Sequence, residues 1–408
     1  MTNRRMTRAR VHALRLRGSA LLLGALACGL AAAPSRAHDT LLAARVQPPS
    51  AADDQPRRSH PPTPTEPSSR RFPSFGPLSI GGATYHPYRF EGHVHTSHSR
   101  DARHGTVEIL TAAERLGLDA LIITDHGASI ARHDFPSYHG ALVPFVGREI
   151  GGVFGHAVIW NVADDTNFVP ARTSLAQRVR FAHANGGLLV FAHPGWWIDG
   201  NDQDPMQWMT PSALRRGGSA GDVDAIELWN GVYRTPLPKL ISAWVALLEA
   251  HVYVPIVGNS DFHRFDSHQL GNAHNLALCE EPDVSSCLWP AVREGRLMVT
   301  DGPAAVLSVN ERLPGSVVDP AGAPLRVAVE ALAPEGGELQ VYLGQQIVNT
   351  LALTPGVRAH AGWELPTPTD DSYVRIDIKR PAPKRSQPAV SLLSNPVLID
   401  VGEQRSWR

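Results

Sequence analysis

What most constrains this chain is a series of short, nearly unbroken apolar runs separated by helix-length stretches. They are Leu121–Ile123, Leu142–Val146, Ala157–Trp160, Leu188–Phe191, Ala225–Leu228 and Val254–Val257. A strand that is apolar at every position is covered on both faces, which is the setting of a parallel sheet layered with helices. The stretches between carry helical spacing. Thr106 can cap a helix with Ile109, Ala113 and Leu116 on one face and Gly117 at its end; Ser174 begins another, with Leu175, Val179 and Ala182 in register and Gly186 beyond; Leu240 to Ala250 reads as a third. Repeated βα units in this number predict a closed or nearly closed barrel.

Polar residues fall where these runs end. Phe90-Glu91-Gly92 leads into His93 and His95, Ile123-Thr124 into Asp125 and His126, and Val146-Gly147-Arg148 into Glu149. Ala192 leads into His193, Ile226 into Glu227, and Asn259-Ser260 into Asp261 and His263. In a parallel barrel the C-terminal strand ends open on one face, so residues remote in sequence converge there. In extended chain, residues i and i+2 point the same way, so His93 with His95, and Asp261 with His263, can each present two ligands to one pocket. Imidazole and carboxylate without thiolate suit Zn²⁺, Mn²⁺ or Fe²⁺, and the ligands are too many for one ion, so two or three divalent metals are expected.

The segments H-V-H-T (93–96), T-D-H-G (124–127), G-R-E-I (147–150), A-H-P-G (192–195) and N-S-D-F-H (259–263) resemble, in order, the motifs of the PHP superfamily, named for polymerase and histidinol phosphatase. The resemblance covers about Tyr88 to Pro303. It implies an α/β fold, a distorted (β/α)7 barrel, and hydrolysis of phosphoesters or related bonds at a two- or three-metal site. Carried over by position, His93, His95, Glu149 and Asp261 would hold one metal, and Glu149 would bridge to a second held by His156 and His193. Asp101, His126 and His263 would hold a third. Glu91 stands where many members have Asp, and Asp101 where some have His.

Past Gly302 the texture changes to alternation, as in Leu325–Val329 and Tyr373–Ile378, which predicts a small β-sandwich over 304–408 after a barrel over 85–303. Val299–Pro303 and the closing Ser394-Asn395-Pro396-Val397 resemble an exported branch of the superfamily that includes carbaryl-type carbamate and ester hydrolases. This region is expected to supply no ligand; its one histidine, His360, reads as part of a turn.

Other positions keep two readings. Arg148 either clamps an anionic substrate or pairs with Glu149; Glu227 is either a ligand or an acceptor for a histidine N–H. Trp196, Trp197 and Trp229 either line a substrate pocket or pack. His98, His104, His133 and His139 read as solvated loop residues. Hydrolysis of a carboxylester, carbamate or amide is the alternative chemistry. A non-catalytic metal- or carbohydrate-binding envelope protein is the alternative class, and the intact ligand set argues against it.

Arginines at 4, 5, 8, 10, 15 and 17 precede an uncharged run, Ser19 to Ala33, with Ser35-Arg36-Ala37 as a cleavage site. Residues 1–37 therefore read as an export signal, with lipidation at Cys28 or an uncleaved leader as alternatives. The nine prolines from Pro48 to Pro77 predict a disordered linker over 38–84. Cys279 and Cys287 remain, an even pair suited to a disulfide after export, with two free thiols as the alternative. A net charge of -1 argues against broad attraction to nucleic acid. The expected partner is a small-molecule substrate, with no transmembrane segment in the mature chain.

Overall fold

The computed structural model describes residues 72–408 apart from 74, 128–129, 153–154, 163–172, 195–208, 216–217, 219–221, 232–235, 267–268, 384–387, 403–406 and 408. The signal expected at 1–37, Cys28, most of the expected linker, and Trp196 and Trp197 lie outside these residues.

Described structure begins ahead of the expected start near Tyr85. Strands β1 (Leu78–Ile80) and β2 (Ala83–Val94) form a hairpin with Ile80 opposite Ala83. Its two-residue turn is Gly81-Gly82, both at positive φ (60° and 80°), as a turn matching the strand twist requires. Ahead of it, Phe72 N–H donates to the Leu116 carbonyl at 3.0 Å, and the Phe72 ring lies 4.1 Å from that of His274. Phe75 and Leu78 are buried in the core of the C-terminal region. Proline content weighs against a core of its own, but not against docking three apolar side chains on a formed surface.

The barrel region continues with α1 (Thr106–Leu116), β3 (Ala120–Ile123), a 3-10 helix at Ile130–Ser137, β4 (Val143–Gly152) and β5 (Gly155–Trp160). Then come α2 (Leu175–Ala184), β6 (Leu188–Ala192), α3 (Pro211–Leu214), β7 (Ala225–Asn230), α4 (Leu237–Glu249) and β8 (Ile256–Asn259). It ends with β9 (His274–Cys279), α5 (Val284–Glu294) and β10 (Leu297–Thr300). Each of the six apolar runs contributes to a strand, Val254–Val257 only from Ile256 on. Their sheet runs β9-β2-β3-β4-β5-β6-β7-β8. It curls so that Phe262, just past β8, bridges in parallel to Val94 of β2.

Two features depart from the expected (β/α)7 repeat. β5 is antiparallel to both β4 and β6, because the β4–β5 connection is too short for a crossover. Between β3 and β4 the connection carries the 3-10 helix instead of an α-helix. The result is a mixed α/β curled sheet. Helix signals fared unevenly. Ser174 makes a capping box with Gln177, and Gly117 ends α1 at φ 89°. Thr106 is not a cap: Gly105 holds that place, and Thr106 Oγ1 donates to Asp134 Oδ2 at 2.5 Å.

After Pro303 the chain adds β11 (Ala304–Val309), β12 (Val317–Val318), β13 (Leu325–Leu332), β14 (Gly337–Leu343), β15 (Gln346–Leu353), β16 (Arg358–Leu365), β17 (Ser372–Lys379), β18 (Val390–Ser394) and β19 (Val397–Ile399). A sheet β11-β13-β16 packs on one built from β15, β14, β17, β18, β19 and β12, with Leu307, Val329, Val341 and Ile376 between them. This is a sandwich, as expected, but it is not separate. Met298 of β10 pairs with Leu276 of β9 on one side and with Ser394 of β18 on the other, so one sheet crosses the boundary read at 303. The fully buried Asn395 adds a tie, accepting from the Ile256 N–H at 2.8 Å and donating to its carbonyl at 3.0 Å. His360 lies within β16 opposite Glu330, not in a turn.

Two local devices finish the frame. The buried Arg89 guanidinium donates to the carbonyls of Pro73, Gly302 and Pro303, joining three segments. A disulfide joins Cys279 at the end of β9 to Cys287 of α5. Among the described residues no helix is long and apolar enough to cross a membrane.

Candidate metal centre

Local sequence sets the cluster up. The register of β2 slips between Glu91 and Val94, a bulge that re-aims the strand's end. Gly92 sits inside it under the Trp160 ring; a Cβ there would lie 2.3 Å from Trp160 Cζ2, and Trp160 Nε1 donates to the Gly92 carbonyl at 2.7 Å. Two further candidate ligands occupy left-handed backbone, His193 at φ 26° and Asp261 at φ 53°. Such conformations cost about 1–3 kcal/mol each and persist where the surroundings impose them, often at functional sites. The segment after β8 is pinned to β2: Phe262 N–H donates to the His93 carbonyl at 3.3 Å and His95 N–H to the Phe262 carbonyl at 2.8 Å.

Glu149 on β4 is the hub. Its Oε1 lies 2.6 Å from His156 Nδ1 and 3.1 Å from His193 Nε2. Its Oε2 lies 3.1 Å from His126 Nδ1, 3.3 Å from His95 Nε2 and 3.5 Å from His93 Nε2. Asp261 Oδ1 is 3.3 Å from His95 Nε2 and 3.4 Å from His93 Nε2. Asp101 Oδ2 closes the outer edge, 3.3 Å from both His126 Nε2 and His263 Nε2. Candidate ligand atoms lie within 4.8 Å of one another in three overlapping sets: His93, Glu149 and His193; His93, His95 and Asp261; and His95, His126 and His263. All nine expected ligands thus converge. The third set draws in His95 beside His126 and His263, a grouping the motif carry-over did not contain.

The far side of three imidazoles bears on whether the cluster fits a metal. His93 Nδ1 donates to Glu227 Oε2 at 2.8 Å, His95 Nδ1 to Ser99 Oγ at 3.3 Å, and His263 Nδ1 to the Asp261 carbonyl at 2.8 Å. With Nδ1 holding the proton, each Nε2 turns a lone pair inward. Nε2 of His93 and of His95 are buried and make no hydrogen bond. Buried nitrogen lone pairs converging on shared carboxylates, with outer nitrogens anchored, match what divalent cations need.

Electrostatics follow from this crowding. Burial pulls the His93 imidazole down, but the Glu227, Asp261 and Glu149 carboxylates prevail and hold it well above its ordinary value. His95 is likewise raised, to about 9, against burial, by Asp261 and Glu149. Burial pushes Glu149 and Asp261 up, yet His93 and its neighbouring imidazoles keep both carboxyls well below the usual range. The pocket therefore favours positive charge, whether carried by protons or by cations.

The two residues expected in catalysis fall elsewhere. Glu227 is fully buried behind His93, bonded to its Nδ1 and to Asn230 Nδ2, which matches the acceptor reading and not the ligand reading. Arg148 pairs in register with Ile159, whereas Glu149 pairs with Val158. Successive strand residues face opposite ways, so Arg148 leaves β4 on the other face from Glu149. Trp229 packs in the core with Phe191, Leu240 and Trp244. His98 bonds Asp134, and His104 bonds Glu108, in loops outside the cluster.

A layer of support lies behind the cluster, in which sequence reasoning singled out Glu91 and Asp125 but not their partners. Asp125 accepts from Thr96 N–H, Thr96 Oγ1 and Ser99 Oγ at 2.8, 2.8 and 2.6 Å, tying the turn after His95 to the end of β3. Glu91 accepts from Ser260 and from the Gly271 N–H; burial pushes its carboxyl up to about 8. Polar residues beside the motifs were the available signal.

No protein-family model and no curated protein matches the chain. Among solved structures it is similar to a two-domain protein of Bacteroides vulgatus containing a predicted PHP-like metal-dependent phosphoesterase, at 14% identity and a TM-score of 0.45, over 81% of this chain and 99% of that one. It is also similar to an amidohydrolase of Chromobacterium violaceum solved with bound sulfate and no metal, at 14% identity and a TM-score of 0.36, over 51% of this chain and 96% of that one.

Proposed function

We propose that this chain is a metal-dependent hydrolase of the PHP type acting on a phosphoester of a small molecule. The observation that carries the reading is the convergence of five imidazoles on the buried Glu149 carboxylate, with Nε2 of His93 and His95 unbonded. His93, His95, Glu149 and Asp261 would hold one divalent ion, Glu149 with His156 and His193 a second, and Asp101 with His126 and His263 a third. Zn²⁺, Mn²⁺ and Fe²⁺ suit this donor set. Such ions supply Lewis acidity and activate water near neutral pH.

The protein's own part is positional. Glu227 and Ser99 fix which nitrogen of His93 and His95 faces inward, and Glu149, with one oxygen toward His156 and His193 and the other toward His93, His95 and His126, would contribute to two ions. Asp101 and His126, the exposed members, form the edge a substrate meets first. A phosphoester suits the site because more than one cation held there would balance its spread negative charge. The arginine-rich leader and the Cys279–Cys287 pair support export to an oxidising compartment.

The test is metal analysis of reconstituted protein together with a screen of phosphomonoesters, phosphodiesters and carboxylesters. We expect about two or three equivalents of metal and chelator-sensitive phosphoester turnover. Absence of bound metal would sink the reading; turnover of carboxylesters or carbamates alone would move it to that bond class.

A further inference from the structure

Glu91 is a fully buried carboxylate that the proposed chemistry leaves unused. Its Oε1 accepts from the Ser260 N–H at 2.9 Å and from Ser260 Oγ, while its Oε2 accepts from the Gly271 N–H at 2.7 Å. Ser260 and Gly271 bracket the connection from β8 to β9, and that connection carries Asp261 and His263. One side chain of β2 therefore closes the connection at both ends.

The residue in between is the strained one. Asp261 sits at φ 53°, a conformation that costs a non-glycine residue free energy and is held here by the peptides on either side. On its C-terminal side Phe262 pairs with the backbone of His93 and His95. On its N-terminal side the Ser260 peptide N–H is taken by Glu91. Glu91 itself is two residues ahead of His93, so the same strand end sets the histidine pair and the carboxylate facing it.

We propose that Glu91 is a positioning residue for the metal centre: by accepting from Ser260 and Gly271 together, it holds Asp261 in the conformation that turns its carboxylate toward His93 and His95. This rests on the metal-centre reading above. Both carboxylate oxygens are needed. A carboxamide has one acceptor oxygen, so Glu91→Gln keeps the shape but sets an NH₂ against a donor at one end of the connection.

The experiment compares the full-length parent with Glu91→Gln by amide hydrogen exchange without metal and by Mn²⁺ and Zn²⁺ titration. We expect exchange at Ser260, Gly271 and Asp261–Phe265 to quicken at least about tenfold while β3 and β18 keep parental rates, and metal affinity to fall about 10–100-fold, the usual loss when a ligand's support is removed. Glu91→Asp keeps both carboxyl oxygens with a shorter reach, so its losses should be smaller, a partial rescue that loosened packing alone would not give. If Glu91→Gln does not fold, Glu91→Asp is judged by the same two readouts against the parent. Unchanged exchange overturns the proposal, as does faster exchange with parental metal affinity. A parent that binds no metal would overturn the proposed function, leaving the clamp to be judged by exchange alone.

Discussion

Glu227 and His93 face each other at 2.8 Å, carboxylate oxygen to Nδ1, with neither side chain reached by solvent. A buried carboxylate behind an imidazole fixes its tautomer and raises its basicity as a ligand. Glu227→Ala should therefore lower metal affinity about 10–100-fold, and Glu227→Gln, which keeps an acceptor, should lose less. Chelator competition measures both. Parental affinity in Glu227→Ala would mean that His93 needs no such anchor.

Asp261 and His193 provide the direct test of the cluster. Asp261→Asn retains a side chain that tolerates left-handed backbone, so fold and stability should hold while metal binding and turnover are lost. His193→Ala should abolish turnover as well, since Glu149 and Asp261 lose a shared neighbour. Circular dichroism beside activity at limiting metal separates these outcomes; wild-type turnover by either variant would exclude this cluster as the active site.

Gly92 is predicted to tolerate no side chain. With Trp160 Cζ2 at 2.3 Å from a Cβ built there, Gly92→Ala must shift the indole or the strand. We expect a loss of about 1–3 kcal/mol in unfolding free energy, typical of overpacking, together with weakened metal binding because His93 is the next residue. A denaturation midpoint equal to the parent's would show that Trp160 moves freely.

His274 gives the chain an acid limit. Burial, and next the Arg89 guanidinium beside it, hold its pKa well below the ordinary value, so it stays neutral in the folded protein. Unfolded, it takes up a proton near pH 6.5. The folded value being the lower, its contribution is intact above about pH 6.5 and declines as pH falls, by up to about 1.4 kcal/mol per unit. The stability advantage of the parent over His274→Asn should therefore shrink by about 2 kcal/mol between pH 7 and pH 5. A constant difference across that range would contradict the burial of a neutral imidazole.

Strand positions and the members of the candidate cluster were legible because both are local signals. An apolar run such as Leu188–Phe191 announces a covered strand, and His193 just beyond it announces a strand end. What was hidden depends on pairing. Nothing in Ala157–Trp160 itself marks β5 as antiparallel; only its short connection to β4 does. The separation of Arg148 from Glu149 follows from strand alternation, which the motif's contiguity obscured. Glu91 looked like a variant of a familiar acidic position, and its two distant partners, Ser260 and Gly271, are visible only once the sheet has curled. Phe72 and Phe75 were submerged in a proline-rich stretch whose composition hid the surface they dock on.

The shared strand β10 has a consequence for how the protein is made. Its free edge is satisfied by β18, and Asn395 beyond it bonds both the backbone N–H and the carbonyl of Ile256 in β8. The barrel's wall is thus completed by a strand synthesised well after the barrel itself. This arrangement withholds the final sheet contacts until β18 and Asn395 have been made. Nascent chains stalled at residue 303 should accordingly be cut by protease throughout the barrel region, where the released full-length protein resists.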